Sequence, residues 1–280
     1  MRKFLSYLKS KKNEEYNFFK ELKTKTGIDF DEFYNLKFRN SLTETSLFGR
    51  KIQAPNAFWH LHSLNEVFVE EVYKFKPKSK SPIILDCGSN IGLSIIYFKK
   101  NYPESRIIGF EPDPDIFRML EDNIRRFEFS NVQLINKAVW KEEGELTFNS
   151  IGALGGTLDL EDKNAKSGDL INNKVVVKTA RLKNFLVNER IDFLKIDVEG
   201  AEFEILDDCL DELDNVENLF IEYHRPRGST LRVGSFIDKL ENSGFKIYIK
   251  EAWNNLPHPF CSDDYNPMYD LQLNIFCFRK

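Results

Sequence analysis

A ten-residue stretch, IILDCGSNIG at residues 83–92, constrains the fold of this chain more than any other segment. Three β-favouring apolar residues lead to Asp86, and a helical spacing of apolar residues begins at Leu93. Between them, Gly88 and Gly92 frame a short turn. Glycine lets a backbone approach a ligand closely, and the N–H groups of a helix N-terminus attract negative charge. The stretch therefore predicts a strand, a nucleotide-type loop and a helix.

The spacing of the two glycines narrows the choice of ligand. A dinucleotide fingerprint needs the pattern G-x-G-x-x-G, and Asn90 stands where the middle glycine is required. An acid at the strand end followed by G-x-x-x-G is similar to the S-adenosylmethionine (SAM) loop of class I methyltransferases, and the carboxylate of Asp86 suits that ligand's ammonium and sulfonium. For the loop taken alone, the alternative is a structural turn that holds no ligand.

The composition argues against some classes of partner. With 40 Lys and Arg against 44 Asp and Glu, the 280-residue chain has a formal charge of −4 and lacks the basic footprint of a nucleic acid-binding protein. Its four cysteines are too widely spaced for a metal or redox motif, and no apolar run approaches the ~18 residues of a transmembrane helix or forms a signal-peptide core. The basic segment 1–12 has only a short apolar stripe, which indicates a solvated helix face rather than peripheral membrane contact. We expect a cytoplasmic protein with no nucleic acid partner.

The pattern of predicted secondary structure changes near a linker of Pro, Ser and Lys at residues 77–82. Residues 1–77 carry Phe and Leu at helical spacing and predict an N-terminal helical extension. Residues 78–280 alternate strand-like and helical segments, which predicts an α/β domain with a doubly wound, mostly parallel seven-stranded sheet. Strands are expected near 83–87, 106–111, 132–136, 192–197, 217–223, 245–250 and 271–278, and helices near 92–101, 114–127, 181–188, 201–210 and 231–243. The polar, glycine-bearing interval 141–180 predicts a long functional or mobile loop inserted into this domain, with two short β-like pieces.

The second predicted strand of this domain ends in Glu111, about 20 residues after the glycine loop. In nucleotide-binding folds an acid at this distance binds ribose hydroxyls. Glu111 is therefore the predicted ribose ligand, and the alternative is a surface acid at a strand end. Pro112 and Pro114 favour a sharp exit from the strand.

Four stretches together resemble methyltransferases of the FkbM type. They are ILDCGSNIG at 84–92, FEPDP at 110–114, NKAVW at 136–140 and LKIDVEGAE at 194–202, of which the last is the most specific. The resemblance implies a Rossmann-like methyltransferase fold, SAM as cofactor, and methylation, usually of an oxygen, on sugars, glycans and other secondary metabolites. It also implies a set of cofactor-binding residues: Asp86, Gly88, Ser89, Asn90, Gly92, Glu111, Pro112, Ala138 and Val139.

The run LKIDVEGAE also has a physical interpretation of its own. A buried strand ends at Asp197, and Gly200 allows the turn into the next helix. The turn brings Asp197, Glu199 and Glu202 together at the carboxyl edge of the predicted sheet, where ligands bind. Crowded carboxylates hold protons more readily, which favours a proton-accepting role for Asp197. Glu199 and Glu202, at the same edge of the sheet, are the predicted substrate contacts. The alternative is that Asp197 or Glu199 only caps the helix.

The following strand ends with Glu222 and His224, which are two residues apart and so point to the same side. A histidine at this edge is a good proton acceptor, so Asp197, His224 and Glu222 are the predicted catalytic residues. Two alternatives remain for this strand end: a structural histidine, or a mixed nitrogen and oxygen metal site that shares Asp197. We expect no metal, because spacing alone is weak evidence for one. His60 and His62 are expected in packing or at the surface rather than at a substrate opening.

Three functions are compatible with these patterns. The favoured one is a SAM-dependent O-methyltransferase with a small-molecule or glycan acceptor, whose pocket is shaped in part by the 141–180 insertion. An NAD(P)-dependent oxidoreductase would share the glycine loop and Glu111, but the middle glycine is missing. A non-catalytic binding protein on the same fold is the third, since fold does not determine function.

Overall fold

The computed structural model describes residues 14–38, 41–150, 156–158, 173–264 and 267–279. The elements of the N-terminal part are α1 (Glu14–Thr26), α2 (Phe30–Phe38), β1 (Thr43–Leu47), β2 (Arg50–Ala54) and α3 (Ala57–Leu64), which continues as a π-helical turn at Asn65–Val69. β1 and β2 pair antiparallel, so a hairpin interrupts the predicted helical extension. Phe48 and Gly49 allow its two-residue turn because both take up positive φ. The helical pattern predicted within residues 1–13 lies outside the described residues.

From residue 83 onwards strands and helices alternate, as the sequence predicts. In chain order the elements are β3 (Ile83–Cys87), α4 (Leu93–Asn101), β4 (Arg106–Phe110), α5 (Pro114–Arg125), β5 (Val132–Ile135), β6 (Ala138–Trp140), β7 (Glu145–Ser150), β8 (Gly156–Leu158), β9 (Asn173–Arg181), β10 (Phe193–Ile196), α6 (Glu202–Cys209), β11 (Asn218–Pro226), α7 (Val233–Asn242), β12 (Lys246–Trp253) and β13 (Tyr269–Phe278). Short 3₁₀ turns lie at Leu182–Phe185, Leu210–Asn215 and Pro259–Asp264. None of the described helices is both long and apolar enough to span a bilayer.

The central sheet has seven strands in the order β12–β13–β11–β10–β3–β4–β5. The pairings from β11 to β5 are parallel, while β13 pairs antiparallel with both β11 and β12. This confirms the doubly wound, mostly parallel, Rossmann-like sheet expected from the sequence. The order reverses at β3, because the chain runs outward through β4 and β5 before it returns to β10 on the other side. In such sheets the ligand crevice opens at this switch point.

Apolar cores cover both faces of the central sheet. Alternate residues of β3 point to opposite sides: Ile84 joins the core beneath α4, α5 and the N-terminal elements, and Leu85 joins the core beneath α6 and α7. Phe33 and Phe68, which precede residue 77, are buried in the same cluster as Ile96 of α4. The N-terminal elements therefore share a core with the sheet, and the division of the chain into parts at residue 77 stays a prediction.

The interval 141–180 differs from the expected loop. β7 and β9 pair antiparallel, and with β6 and β8 they form a second, four-stranded sheet in the order β6–β9–β7–β8. The two β-like pieces of the sequence lie within β7 and β9, and their pairing across the insertion is not visible in a local pattern. The helix predicted at 181–188 is wrong, since only the 3₁₀ turn at Leu182–Phe185 forms there. Leu182 and Leu186 lie at the two ends of this single turn, and both are fully buried.

One buried side chain, Asn123 in α5, ties the N-terminal hairpin to the glycine loop. Its amide oxygen accepts from the N–H of Gln53 at 2.8 Å. Its amide nitrogen donates to the carbonyls of Gln53 (2.9 Å) and Ile91 (3.1 Å). Asn123 has no exposed surface, so three backbone groups from two distant parts of the chain depend on this one residue.

We expect Asn123→Ala to lower the free energy of unfolding by about 2–4 kcal/mol, because it leaves buried backbone groups unpaired at about 1–3 kcal/mol each. Denaturant titration followed by circular dichroism measures the loss. Asn101→Ala is the matched control: Asn101 is exposed at the end of α4 and donates to the carbonyl of Tyr97, so we expect a change below about 1 kcal/mol. Equal effects of the two substitutions would contradict the role given to Asn123.

Candidate active site

The site lies at the switch point, where the loops after β3 and β10 meet. Gly88, the first residue after β3, has φ +85°, and a Cβ added to it would lie 1.8 Å from the carbonyl oxygen of Asp197. The N–H of Asp197 donates to the carbonyl of Cys87 at 3.1 Å. Only glycine fits at position 88, because the two loop backbones are in contact and the backbone there is left-handed.

The end of β4 holds the rest of the glycine loop. The N–H groups of Gly88 and Ser89 both donate to the carbonyl of Phe110, at 3.0 and 2.8 Å. Asn90 has φ +46°, a left-handed conformation that asparagine tolerates better than most residues. Gly92 precedes α4 with φ +92°, and a Cβ there would lie 2.8 Å from a side chain of α5. The predicted cofactor residues of this loop thus form one closely packed turn.

A cavity of about 390 Å³ opens beside the glycine loop and is large enough for a small-molecule ligand. Its lining combines three kinds of side chain. Hydroxyl and amide groups come from the loop and α4, namely Ser89, Asn90 and Ser94. Carboxylates come from three segments, namely Glu66, Asp197, Glu199 and Glu222. Aromatic rings come from α3 and β12, namely Trp59, His62 and Trp253, and from Tyr73 and Tyr269. Residues predicted for the donor and for the reaction centre therefore share one cavity.

Glu111, the predicted ribose ligand, is buried behind the loop. Its two carboxylate oxygens accept from the backbone N–H groups of Asn90 and Asp113, each at 2.9 Å. Burial raises the pKa of Glu111 to about 8, although both N–H groups favour the ionised form. Glu111 is 4 % exposed and is not among the residues that line the cavity, so its contact with a ribose stays a prediction. The carbonyl of Pro112 accepts from the side chain of Asn136 at 3.0 Å.

Asp86, predicted to face the cofactor's positive charges, is completely buried. One carboxylate oxygen accepts the hydroxyl of Ser94 at 2.6 Å. The other has no hydrogen-bond partner within the described part of the chain, and the ammonium of Lys195 lies 3.4 Å from it. Ser94 and Lys195 line the cavity, whereas Asp86 lies behind them. Asp86 therefore supports these two side chains from behind, and the ammonium of Lys195 compensates its charge.

Lys195 is a site residue to which the sequence assigned no role. It lies in β10 with 2 % of its surface exposed, and its ammonium lies 3.1 Å from Asp197 and 3.4 Å from Asp86. Burial alone lowers the pKa of a lysine, but Asp197 and Asp86 outweigh burial, so the pKa of Lys195 is raised and the side chain stays charged. The available signal was a lysine inside an otherwise apolar strand, because a buried charge requires partners.

His224 is buried among three carboxylates. Its Nδ1 lies 3.1 Å from Glu202, and its Nε2 lies 3.4 Å from Glu222 and 3.5 Å from Glu199. Burial lowers the pKa of this histidine, but the three carboxylates outweigh burial and raise the pKa well above its usual 6.5. These carboxylates therefore favour the protonated ring, in which neither nitrogen has a lone pair for a further proton. This differs from the proton acceptor expected from the sequence, because strand spacing shows only which side a histidine faces.

The turn after β10 contains Glu199 and Glu202, the two predicted substrate contacts. Glu202 is 1 % exposed and accepts from the N–H of Gly200 at 3.0 Å, so it supports the turn and His224 rather than lining the cavity. Glu199 lines the cavity and has φ +58°, a strained conformation for a residue with a side chain. The hydroxyl of Tyr269 donates to its carboxylate at 3.2 Å. Burial raises the pKa of Glu199 to about 7, and the cation of His224 opposes this rise.

Ala138 and Val139, the predicted cofactor contacts after the third central strand, belong to β6 of the small sheet. They are 4 % and 3 % exposed, and neither is among the residues that line the cavity. Val139 packs in the core beneath α6, and Ala138 packs with Val177. Their contact with a cofactor stays a prediction.

A divalent cation is an alternative ligand for part of the site. Asp197, Glu199 and His224 each offer one ligand atom, and these atoms lie within 4.8 Å of one another. The set considered from the sequence had Glu222 in place of Glu199, because the turn that brings Glu199 towards His224 is not visible in the strand pattern. The surrounding carboxylates favour the protonated ring of His224. A metal ion that binds this ring must therefore first displace a proton. The geometry admits a cation here but does not require one.

Glu66 is a second cavity residue that the sequence analysis missed. It accepts from the side-chain amide of Asn274 at 2.9 Å. Burial, together with the charge of Glu222, raises its pKa to about 7. No motif marks Glu66, because it follows α3 and reaches the cavity only when the N-terminal elements pack on the sheet.

Two of the four histidines of the chain lie in α3, and they have different roles. His60 lies 2.9 Å from the hydroxyl of Thr45, and burial lowers its pKa to about 3, so it is a neutral core residue as expected. His62 lines the cavity instead, and its ring lies 5.2 Å from that of Trp253. The rings of Trp59 and Trp253 are 5.1 Å apart. These rings give the cavity an aromatic edge.

We expect Gly88→Ala to lower the free energy of unfolding by more than about 3 kcal/mol, because it combines a backbone clash with left-handed φ. Gly228→Ala is the matched control: its φ is +77°, and an added Cβ would meet nothing within 4 Å. The control should lose only the cost of the left-handed backbone, about 1–2 kcal/mol. Denaturant titrations of both variants measure the difference, and equal losses would show that the two loops are not in contact.

Glu66→Gln tests the charge state of the cavity. The folded protein holds a proton on Glu66 up to about pH 7, whereas the usual pKa of 4.5 applies after unfolding. The native state thus binds more protons between these values, so the wild-type carboxyl group costs increasing stability as the pH rises from 4.5 to 7, and the cost is constant above. Glutamine keeps the oxygen that accepts from Asn274. We expect Glu66→Gln to match wild type near pH 4.5 and to be more stable by up to about 3 kcal/mol above pH 7, as thermal melts across this range would show. A difference that does not change with pH would contradict the raised pKa.

Comparison with known proteins places the chain in a family. Residues 86–247 match the family model for the methyltransferase FkbM domain. Methyltransferase 1 of Beauveria bassiana is 30 % identical over 203 residues, which are 66 % of this chain and 80 % of that protein. Hexuronic acid methyltransferase AglP of Haloferax volcanii is 23 % identical over 180 residues, 62 % of this chain and 69 % of that protein. The 2-O-methyltransferase NoeI of Sinorhizobium fredii is 24 % identical over 163 residues, 51 % of this chain and 63 % of that protein.

Among solved structures, M. jannaschii TYW2 in complex with AdoMet has a TM-score of 0.45 and 13 % identity, covering 86 % of this chain and 88 % of that one.

The matched region contains three parts of the candidate site: the glycine loop, Glu111 and the acidic turn after β10. The site fits SAM, because the loop backbone is exposed to the cavity at Gly88 and the carboxylates that line the cavity suit a ligand with a sulfonium and an ammonium. A methyltransferase match also decides against the oxidoreductase alternative. The chain belongs to the FkbM methyltransferase family, and its cofactor is S-adenosylmethionine.

Proposed function

We propose that this protein transfers the methyl group of SAM to a hydroxyl oxygen of a sugar, a glycan or another secondary metabolite. The observation that carries the proposal is the shared cavity, because the glycine loop and the carboxylates of Asp197 and Glu222 line the same space. Two relatives support the acceptor class, since one is named a hexuronic acid methyltransferase and the other a 2-O-methyltransferase.

In this proposal the donor lies along the glycine loop and the end of β4. Bound SAM supplies an electrophilic methyl group. Ser89 and Asn90 bind its methionine part, Glu111 accepts hydrogen bonds from its ribose, and Asp86 orients Ser94 and Lys195 from behind the cavity. The remaining residues of the donor half shape its surface: Gly88, Gly92, Pro112, Ala138 and Val139.

The acceptor oxygen needs a base and a fixed position. Attack on the methyl carbon requires an approach of about 3–3.5 Å, and the hydroxyl loses its proton as the new bond forms. Asp197 is the base in this proposal, because its carboxylate lines the cavity and its backbone touches the donor loop. Glu222 binds and orients the hydroxyl. His224, already protonated, holds Glu222 and Glu199 in place rather than taking the proton.

The aromatic edge of the cavity supports a sugar-like acceptor. Trp59 and Trp253 offer apolar ring surface to the carbon face of a sugar, while the carboxylates can accept hydrogen bonds from its hydroxyls. The acceptor is thus a small molecule or glycan rather than a nucleic acid. The four cysteines are free thiols, which suits the cytoplasmic setting that belongs to this proposal.

A transfer assay tests the proposal. Purified protein is incubated with SAM carrying a labelled methyl group and with hexoses, hexuronic acids, oligosaccharides and fractionated cell extract. Mass spectrometry then locates the label. Label on a hydroxyl oxygen of a sugar is the expected result, and label on nitrogen or carbon would replace the O-methyl assignment. Binding of SAM without transfer to any fraction would favour the non-catalytic alternative.

We expect Asp197→Asn to lower kcat about 100- to 1000-fold, because an amide cannot accept the hydroxyl proton. Its dissociation constant for SAM, measured by calorimetry, should change less than about 10-fold, since the contacts of the donor loop remain. Asp115→Asn is the matched control, because Asp115 lies exposed on α5 and outside the cavity lining. A full kcat for Asp197→Asn, with a loss in Glu222→Gln, would move the role of base to Glu222.

A further inference from the structure

The ammonium of Lys195 lies where the donor loop meets the reaction centre. It donates to the carbonyl of Gly88 at 2.7 Å and lies 3.1 Å from the carboxylate of Asp197 and 3.4 Å from that of Asp86. The carbonyl of Gly88 accepts a hydrogen bond from the ammonium, whereas the two carboxylates are paired with it as ions, and the nearer oxygen of Asp86 accepts no hydrogen bond from the described residues. The three partners belong to the glycine loop, the turn after β10 and the end of β3, and water has almost no access to the side chain.

The two carboxylates depend on this ammonium to different degrees. Asp86 has no exposed surface, and Lys195 is the cation paired with it among the described residues. The side chain of Asp197 is 23 % exposed, so water in the cavity also stabilises its charge. A single cation therefore serves one sealed carboxylate on the donor side and one open carboxylate on the acceptor side.

We propose that Lys195 is a positioning residue that couples the donor site to the reaction centre. It binds the carbonyl of Gly88 and the carboxylate of Asp197 at once, and so fixes the distance between the donor loop and the group that takes the acceptor's proton. It also compensates the buried charge of Asp86. The inference rests on the proposed function, because it takes Asp197 as the base.

A second buried lysine shows what a purely structural lysine looks like in this protein. Lys99 in α4 is 4 % exposed and donates to two neutral carbonyls of one turn, those of Pro103 (2.7 Å) and Ser105 (2.8 Å). Burial lowers the pKa of Lys99, whereas the carboxylates raise that of Lys195. Lys99→Met is therefore a matched control for the loss of a buried lysine.

Three variants separate positioning from charge compensation. Lys195→Met leaves Asp86 buried without a cation, so it loses stability whatever else the lysine does. The double variant Lys195→Met with Asp86→Asn removes both buried charges, and Asp86→Asn alone is its reference. All three are compared with Lys99→Met and wild type by thermal melts, by calorimetric titration with SAM, and by the pH profile of kcat at saturating SAM.

We expect the double variant to melt close to Asp86→Asn but to have a kcat about 30- to 100-fold lower, because Asp197 no longer has its anchor. Loss of the ammonium also removes a positive charge 3.1 Å from the reaction centre, so we expect the pH profile of kcat to change in the double variant relative to Asp86→Asn. Lys195→Arg keeps the charge but not the compact head group of lysine. Its kcat should therefore lie between that of wild type and that of Lys195→Met. Lys99→Met should keep the wild-type kcat and pH profile.

A double variant that equals Asp86→Asn in both kcat and pH profile would overturn the proposal, because Lys195 would then only balance a charge. So would a drop in kcat in Lys99→Met as large as that in Lys195→Met. Calorimetry separates this failure from failure of the proposed function. If wild-type protein binds SAM but transfers no methyl group, the proposed function fails. The expected weakening of SAM binding in Lys195→Met, about 10-fold, still tests the link between the ammonium and the donor loop, and an unchanged affinity rejects it.

Discussion

The contact between Gly88 and the backbone of Asp197 is the constraint on which the rest of the site depends. It exists because β3 and β10 are neighbouring parallel strands whose onward connections leave in opposite directions. Both loops therefore emerge at one edge of the sheet, with no space for a Cβ between them. The donor loop and the acidic turn are thus brought together by sheet topology, and the apolar cores on both faces hold that topology in place.

Carboxylates outnumber cations around the cavity. Burial raises the pKa of both Glu66 and Glu199 to about 7, so each is partly protonated at neutral pH. A donor with a sulfonium and an ammonium favours the ionised forms of such groups. Cofactor binding is therefore thermodynamically linked to proton release from the cavity.

The central strands and the glycine loop could be predicted from the sequence because their signals are local: an apolar run, an acid and two glycines within ten residues. Features that depend on pairing between distant segments could not. The strands β7 and β9 contain the predicted β-like pieces, but the small sheet forms only through their mutual pairing. Lys195 lies within the motif at residues 194–202, yet its place between two acids depends on the register of β10 against β3. Glu66 reaches the cavity from another part of the chain altogether.

His224 shows how geometry can invert a role expected from residue type. A histidine at the carboxyl edge of a sheet is a natural candidate for a base, and the sequence predicts one here. In the structure each ring nitrogen faces carboxylate, with Glu202 on one side and Glu199 and Glu222 on the other. The ring is therefore a fixed positive charge that keeps two cavity carboxylates in place. In the proposed reaction the proton of the acceptor hydroxyl then goes to a carboxylate, and we propose Asp197 for this role because its backbone touches the donor loop.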